Sequence, residues 1–320
     1  MAEDEDRNWI AEWADALLEA GCAPPTQRRY HSAAHAFVAW FEQQNHEPFA
    51  PANLTPIDLT GYVQQLRQTS AASTVNVHTY ALRSLCAWLA EQGHLEHNPA
   101  VRLRAVGVAK PLAPKALRPA QVNALLRAAQ QTRHGTRDYA LIQLMVQTGI
   151  RIGECAALRL GDIHLSERHG QVRIRAGKGN KSRIVPLNAS ARQALADYLG
   201  PAWGVEPTVK AVTVAWARRS AAEPLWISQK GGALSARTIS ECVEGLVATC
   251  TARGLVPPET TPHTLRHTFA TNYLRDHPGD LVSLATLLGH SSLETTRIYV
   301  QPTADDLAQR VEQTRLNAYS

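Results

Sequence analysis

Over residues 8–100 apolar side chains return at three- and four-residue steps: Trp9, Trp13, Leu17 and Leu18 in one run, then Tyr30, Ala34, Phe37, Val38 and Phe41 in the next. That spacing gathers them on one face of an α-helix and predicts amphipathic helices around a shared core. Thr55-Pro56 supplies an N-cap followed by proline at the first helical position, opening a helix through Leu66. Ser73–Leu89 forms another, with Val77, Tyr80, Leu85 and Leu89 on its apolar side, and Asn98-Pro99 closes the series. No strand-like alternation interrupts it. An all-helical N-terminal domain is therefore expected over residues 1–105.

The stretch Val106–Pro119 holds three prolines, one glycine and two lysines, and predicts an extended basic linker over residues 106–117. A second domain, residues 118–320, resumes with helices at Ala120–Gln130 and Arg137–Thr148, the latter ended by Gly149 as a left-handed cap. Between about Gln171 and Leu187 the period shortens to two. Val172 and Ile174 alternate with Arg173 and Arg175, Gly177-Lys178-Gly179-Asn180-Lys181 supplies turn chemistry, and Ile184 and Val185 begin the return. A small hairpin inside a helical domain follows. Pro201–Pro224, with Trp203, Trp216, Arg218 and Arg219, has no clean period; it fits either an interaction or DNA-contacting insertion or a helix with a loop, the second being favoured. The last third is helical again. The fold class is mainly α with a small antiparallel β-sheet, in two domains.

Composition narrows the class. At 44% hydrophobic and 19% charged residues, 320 residues suit a soluble globular protein with substantial cores. No apolar run approaches the roughly 20 residues that span a bilayer, and Met1–Asp6 is acidic where a signal peptide would be basic, so a cytoplasmic protein is expected. Five dispersed cysteines (Cys22, Cys86, Cys155, Cys242, Cys250) lack the spacing of a zinc cluster or disulfide framework and read as reduced, mostly buried thiols. The net charge of +5 is uneven. Residues 1–105 carry 7 Arg against 12 Asp/Glu, or −5, and the remainder 26 Lys/Arg against 16 Asp/Glu, or +10. The basic part points to a polyanionic partner.

Four constellations carry candidate chemistry. In Thr261-Pro262-His263-Thr264-Leu265-Arg266-His267, Thr261 caps a helix and Pro262 starts it, leaving His263 and Arg266 on one face near an anion-favouring N-terminus. His263 and His267 also have the four-residue spacing of a zinc-protease helix, but Thr264 stands where such a site needs its Glu; capping or surface histidines are the plainer alternative. In Leu287-Leu288-Gly289-His290-Ser291-Ser292-Leu293-Glu294, Gly289 ends one helix and Ser291 with Glu294 forms a capping box for the next, which carries Tyr299. Arg151 follows the helix-ending Gly149, with Glu154 three residues on to orient it; an ion pair of purely structural use reads equally well. Lys178 sits at the hairpin tip, either solvated or reaching into a DNA groove. Together these residues meet the needs of phosphodiester cleavage. Two arginines neutralise the non-bridging oxygens, a phenol attacks phosphorus, and Lys or His moves a proton to the leaving oxygen. No metal, cofactor or ATP is implied.

These motifs give the chain its resemblance to the tyrosine recombinase (phage integrase) family, and in particular to its Xer-like and mobile-element members. The matching stretches are TGIRIGE, LRLGDI around Asp162, GKGNKSRIVPL, TPHTLRHTFAT and LLGHSSLETTRIY, in family order, with nine residues from His290 to Tyr299. TQRRYHSAAHAFVAWF and STVNVHTYALRSLCAWLAEQGHLEHNPA look like the family's helical SAM-like core-binding domain. The resemblance implies that Arg151 and Arg266 bind the scissile phosphate, Lys178 protonates the 5′ oxygen (Lys181 being the neighbouring candidate), His263 assists proton transfer, His290 donates a hydrogen bond to the phosphate, and Tyr299 attacks. Glu154 would orient the site from behind. It further implies a mixed α/β catalytic domain, duplex DNA as substrate, a Holliday junction, a homo-tetrameric synapse built from free monomers, room for accessory proteins, and a C-terminal segment donated to a neighbour. Leu307, Val311 and Leu316 would be the stripe of that segment, which fits packing in cis equally. Two other readings remain beside a recombinase. One is a type IB topoisomerase, which would relax supercoils without a specific site; the other is an architectural DNA-binding protein, whose effect would survive Tyr299→Phe.

Overall fold

The computed structural model of the chain describes residues 8–107, 116–175, 182–290, 296 and 311–312. They fall into two compact units, Met1–Lys110 and Pro111–Ser320.

The first unit is helical: α1 (Asn8–Glu19), α2 (Pro24–Asn45), α3 (Pro56–Thr69) and α4 (Ala72–Glu91). Local chemistry sets the ends. Pro24 and Pro25 open α2, and His46 closes it in the left-handed region at φ 55°, a conformation uncommon outside glycine. Thr55 and Asp58 form a reciprocal capping box at α3, with Thr55 N donating to Asp58 Oδ2 at 2.9 Å. The predicted apolar faces meet in one core of Trp13, Phe37, Phe41, Leu82, Leu85 and Leu89. Leu18 and Tyr80, expected on those faces, are exposed, because the buried stripe of α4 runs through Val75, Thr79, Leu82 and Cys86 and that of α1 ends on Leu17. Phe37 stands edge-on to Phe49 and Tyr62, at 5.9 and 5.2 Å between ring centroids. Asn76 of α4 ties down the chain beyond, donating Nδ2 to Val106 O at 2.9 Å and accepting from Val106 N at 2.7 Å.

The second unit contains α5 (Pro119–Gln130), α6 (Gly135–Thr148), α7 (Ile152–Ala156), a sheet, α8 (Ala189–Ala202), α9 (Val209–Trp216), α10 (Ala236–Thr251), α11 (Pro262–Asp276) and α12 (Leu281–Leu288). Helix α6 is buried along most of its length, polar Asp138, Gln143 and Thr148 included, and occupies the middle, against α5, α8 and α11. The sheet is antiparallel and three-stranded, in the order β1 (Ile163–Leu165), β2 (Gly170–Ile174), β3 (Arg183–Pro186). The sequence predicts only the hairpin β2–β3. The added strand is three residues long, so Ile163 and Leu165 point inward around a single outward His164, too short a run to register as a period. Pairing of Ile163 with Val172, and of Val172 with Val185, stacks the inward residues of all three strands. Asp162, buried at the entrance to β1, accepts from Arg159 N at 2.9 Å and from Arg175 Nε at the end of β2.

Residues 201–224 are a helix with loops. Thr208 caps α9 by accepting from Ala211 N, Val212 is fully buried, Trp203 meets Trp216 edge-on at 5.3 Å, and the Arg219 guanidinium lies 5.1 Å over the Trp203 ring. All five cysteines are free, and Cys86, Cys155 and Cys250 are buried. No helix among the described residues is long and apolar enough to cross a membrane. Of the C-terminal stripe, Val311 is exposed, while Leu307 and Leu316 lie outside the described residues.

Candidate active site

Three helix ends in the second unit supply the frame. Helix α6 stops at Gly149, which takes φ 61°; a Cβ there would come within 2.4 Å of Phe269 Cδ1 and 2.9 Å of Leu288 Cδ2, so the corner needs glycine for both conformation and space. Helix α12 stops at Gly289, φ 66°. Helix α11 starts at Thr261-Pro262, with Thr264 N donating to the Thr261 hydroxyl. The carbonyls left without helical partners at the first two ends form a cation-binding pair.

Arg266, on the first turns of α11, occupies that pair. It is 2% exposed; Nη1 donates to Gly149 O at 2.7 Å, and Nη2 to Leu288 O at 2.8 Å and to His290 Nε2 at 2.9 Å. A guanidinium has no acceptor, so His290 Nε2 must be the unprotonated nitrogen and the neutral ring carries its hydrogen on Nδ1. Nδ1 faces the hydroxyl of buried Thr296 at 2.8 Å. Donation from His290 Nε2 to a phosphate therefore needs a proton shift, which the Thr296 hydroxyl permits because it can donate as well as accept.

Arg151 caps the five-residue helix α7 and meets Glu154 as its spacing predicts. Arg151 N donates to Oε2 at 2.8 Å and Nη1 to Oε1 at 2.9 Å. What the spacing does not predict is a second arginine on the same carboxylate. Arg183 Nη1 donates to Oε1 at 2.9 Å, Nη2 to Oε2 at 2.7 Å, and its Nε to Leu287 O at 2.7 Å. Burial opposes ionisation of Glu154, but the hydrogen bonds from Arg183 and Arg151 and the Arg183 charge prevail and hold its pKa at about 2. Arg183 was within reach of sequence reasoning: it pairs with Ile174 and shares the inward phase of Val185, so an inward arginine had to find a carboxylate.

Two further histidines line the start of α11. The His263 and His267 rings meet edge-on, 4.3 Å between centroids. Partial burial and the Arg266 and Arg151 charges lower the pKa of His263; burial, His263 and Arg266 push His267 to about 4; burial, Arg266 and Arg151 push His290 to about 4. All three rings are neutral at pH 7. Among the described residues no group of three His, Cys, Asp or Glu side chains could hold a metal ion. Thus Arg151, Glu154, His263, Arg266 and His290 come together at one place, and His267, Arg183 and Thr296 join them. Lys178, its neighbour Lys181, and Tyr299 lie outside the described residues.

A site with three arginines to one carboxylate, beside neutral imidazoles, carries net positive charge and suits a phosphodiester. Comparison with known proteins gives the same direction. The sequence profile of the "Phage integrase family" matches residues 115–305, and that of the "Phage integrase, N-terminal SAM-like domain" matches residues 9–93. The chain is 31% identical to the tyrosine recombinase XerD of Ralstonia nicotianae over 91% of its own length and 88% of that protein's. It is 32% identical to the tyrosine recombinase XerC of Oceanobacillus iheyensis, covering 91% and 90%. The fold is that of the XerH site-specific recombinase bound to its difH substrate (TM-score 0.65, 21% identity, 95% of this chain and 84% of that one) and of a lambda integrase dimer bound to a core site (TM-score 0.66, 19%, 91% and 94%).

Proposed function

The chain belongs to the phage integrase family and is a site-specific tyrosine recombinase, and on that premise we propose that Tyr299 is its nucleophile, working with Arg151, Lys178, His263, Arg266 and His290. The Tyr299 oxygen attacks the scissile phosphorus, the bond to the 5′ oxygen breaks, and a 3′-phosphotyrosine and a free 5′-hydroxyl result. His263, neutral at pH 7, receives the phenolic proton; Lys178 delivers one to the departing 5′ oxygen. Arg151 and Arg266 neutralise the non-bridging oxygens, and His290 donates to one of them after its proton moves to Nε2. The 5′-hydroxyl of a second duplex then attacks the phosphotyrosine, giving its proton to Lys178; the bond to Tyr299 breaks, and the phenol regains its proton from His263. Repeated on the other strand pair, this passes through a Holliday junction, and the conserved bond energy removes any need for ATP.

The observation that carries this reading is the convergence of Arg151 and Arg266 on the carbonyl of Leu288, at 3.5 and 2.8 Å, two residues before His290. Two cations held by backbone oxygens beside a neutral imidazole are placed for phosphoryl transfer, where positioning and charge do most of the work. Duplex DNA is the substrate, four protomers assemble on two sites, accessory proteins bias the outcome, and the reaction takes place in the cytoplasm. Residues 1–105 and 118–320 would grip the duplex as two domains joined by the linker 106–117, with binding that weakens steeply in salt.

The test is a nicked suicide duplex carrying a candidate site from DNA flanking the gene, incubated without divalent metal and resolved on denaturing gels. A covalent protein–DNA band present in the wild type and absent in Tyr299→Phe is expected. Specific binding to that duplex with no band, or a band that survives in the variant, removes Tyr299 from the role.

A further inference from the structure

Glu154 presents a problem that Arg183 resolves. A carboxylate three residues from Arg151, bonded to both its backbone and its guanidinium, would by itself neutralise the arginine that must bind an anion. The Glu154 side chain is only 10% exposed, so solvent screens that pairing poorly. Arg183 is 7% exposed, whereas Arg151 is 41% exposed. Two guanidinium groups on one carboxylate leave the cluster one net positive charge, and the buried member presents a two-pronged fork to both carboxylate oxygens. The uncompensated charge therefore faces outward through Arg151.

We infer that Arg183 is a positioning residue of the cleavage reaction: it takes up the charge of Glu154 so that the charge of Arg151 stays uncompensated toward the scissile phosphate, and it fixes the corner that carries His290. The second part rests on the backbone. Arg183 Nε holds Leu287 O at 2.7 Å, and a Cβ on Gly289 would lie 2.8 Å from Arg183 Nη1, so the side chain passes through space that only glycine leaves open. Arg183 thereby connects β3, α7 and the end of α12, the three elements around the arginine pair. It touches neither substrate nor reacting atoms. The inference rests on the reading of Tyr299 and Arg151 given above.

Charge rescue separates this role from ordinary structural support. On the suicide duplex at saturating protein, Arg183→Met, which brings the cluster to zero net charge, slows formation of the covalent adduct by about 10- to 100-fold. Arg183→Lys keeps the charge and loses the fork, and stays within about tenfold of wild type. The double variant Glu154→Gln/Arg183→Met again carries one net positive charge and recovers most of the rate lost in Arg183→Met. Thermal unfolding on each protein accompanies the rates. A double variant no faster than Arg183→Met, with both folded, overturns the inference. If Arg183→Met does not fold, Arg183→Lys and the double variant carry the comparison, since both hold the net charge at one; a hundredfold loss in both while folded overturns it equally. Tyr299→Phe runs alongside: absence of a Tyr299-dependent adduct in the wild type sinks the underlying reading and the inference with it, whereas a normal wild type with an unaffected Arg183→Met sinks the inference alone.

Discussion

Arg266 donates from Nη2 to Nε2 of His290 across 2.9 Å, and this one contact fixes the protonation pattern of the site. Because the guanidinium only donates, the imidazole accepts, and its single hydrogen is on Nδ1 toward Thr296. Nitrogen-15 spectra of histidine-labelled protein should show His290 as the Nδ1–H tautomer without DNA and as the Nε2–H tautomer, or imidazolium, with a bound duplex. Thr296→Val removes the acceptor for Nδ1 and should cost about 1–3 kcal/mol in urea unfolding. An Nε2–H signal in the DNA-free protein would contradict the assignment.

Arg266 itself holds Gly149 O, Leu288 O and His290 at once. Arg266→Met takes its donor from the Gly149 carbonyl and leaves Leu288 O only the long contact from Arg151, so stability should fall by about 2–4 kcal/mol and adduct formation by more than about 100-fold. Arg266→Lys should recover part of the stability and little of the rate, because a point charge cannot span two helix ends as a fork does. Equal rates for lysine and wild type would show that charge alone suffices.

Acid should loosen the site before it unfolds the rest. Partial burial and neighbouring positive charges put His267 and His290 at about 4, below their ordinary value near 6.5. The unfolded chain therefore binds more protons between those limits, and stability rises with pH there. The contribution is complete above about pH 6.5 and is lost as pH falls toward 4; Glu154, held at about 2, adds a further loss from its ordinary value near 4.5 downward. The melting temperature should decline from pH 6.5 to 4.5, with His267→Gln flattening the slope. A level profile over that range in the wild type would refute the neutral-histidine arrangement.

At Gly149 an added methyl meets both a left-handed backbone and the Phe269 ring. Gly149→Ala should lower stability by about 2–4 kcal/mol, combining the conformational cost with overpacking. It should also slow cleavage, since the displaced carbonyl is the one that holds Arg266 Nη1. Gly153→Ala, where a Cβ meets nothing within 4 Å, is the control and should unfold within about 1 kcal/mol of wild type.

The amino-acid sequence determined what is decided within a turn of chain. The capped starts at Thr55 and Thr261, the left-handed stops at Gly149 and Gly289, the helical faces of the first unit and the contact of Arg151 with Glu154 all follow from spacings of one to four residues. Backbone geometry fixes such spacings wherever the segment ends up. The motifs also gave the family, and they singled out Arg151, Glu154, His263, Arg266 and His290, which the fold brings together. Tertiary structure alone chose the partners that lie far apart in the chain: Arg183 for Glu154 across 29 positions, Gly149 for Arg266 across 117, and Thr268 for Leu117 across 151. The strand Ile163–Leu165 belongs with them, being too short to show a period. Within 201–224 the sequence favours a helix with a loop, and tertiary packing sets its bounds by burying Val212 and leaning Trp216 on Trp203. Those choices depend on which buried charge or apolar face remains unsatisfied after packing, a quantity that no single stretch of sequence contains.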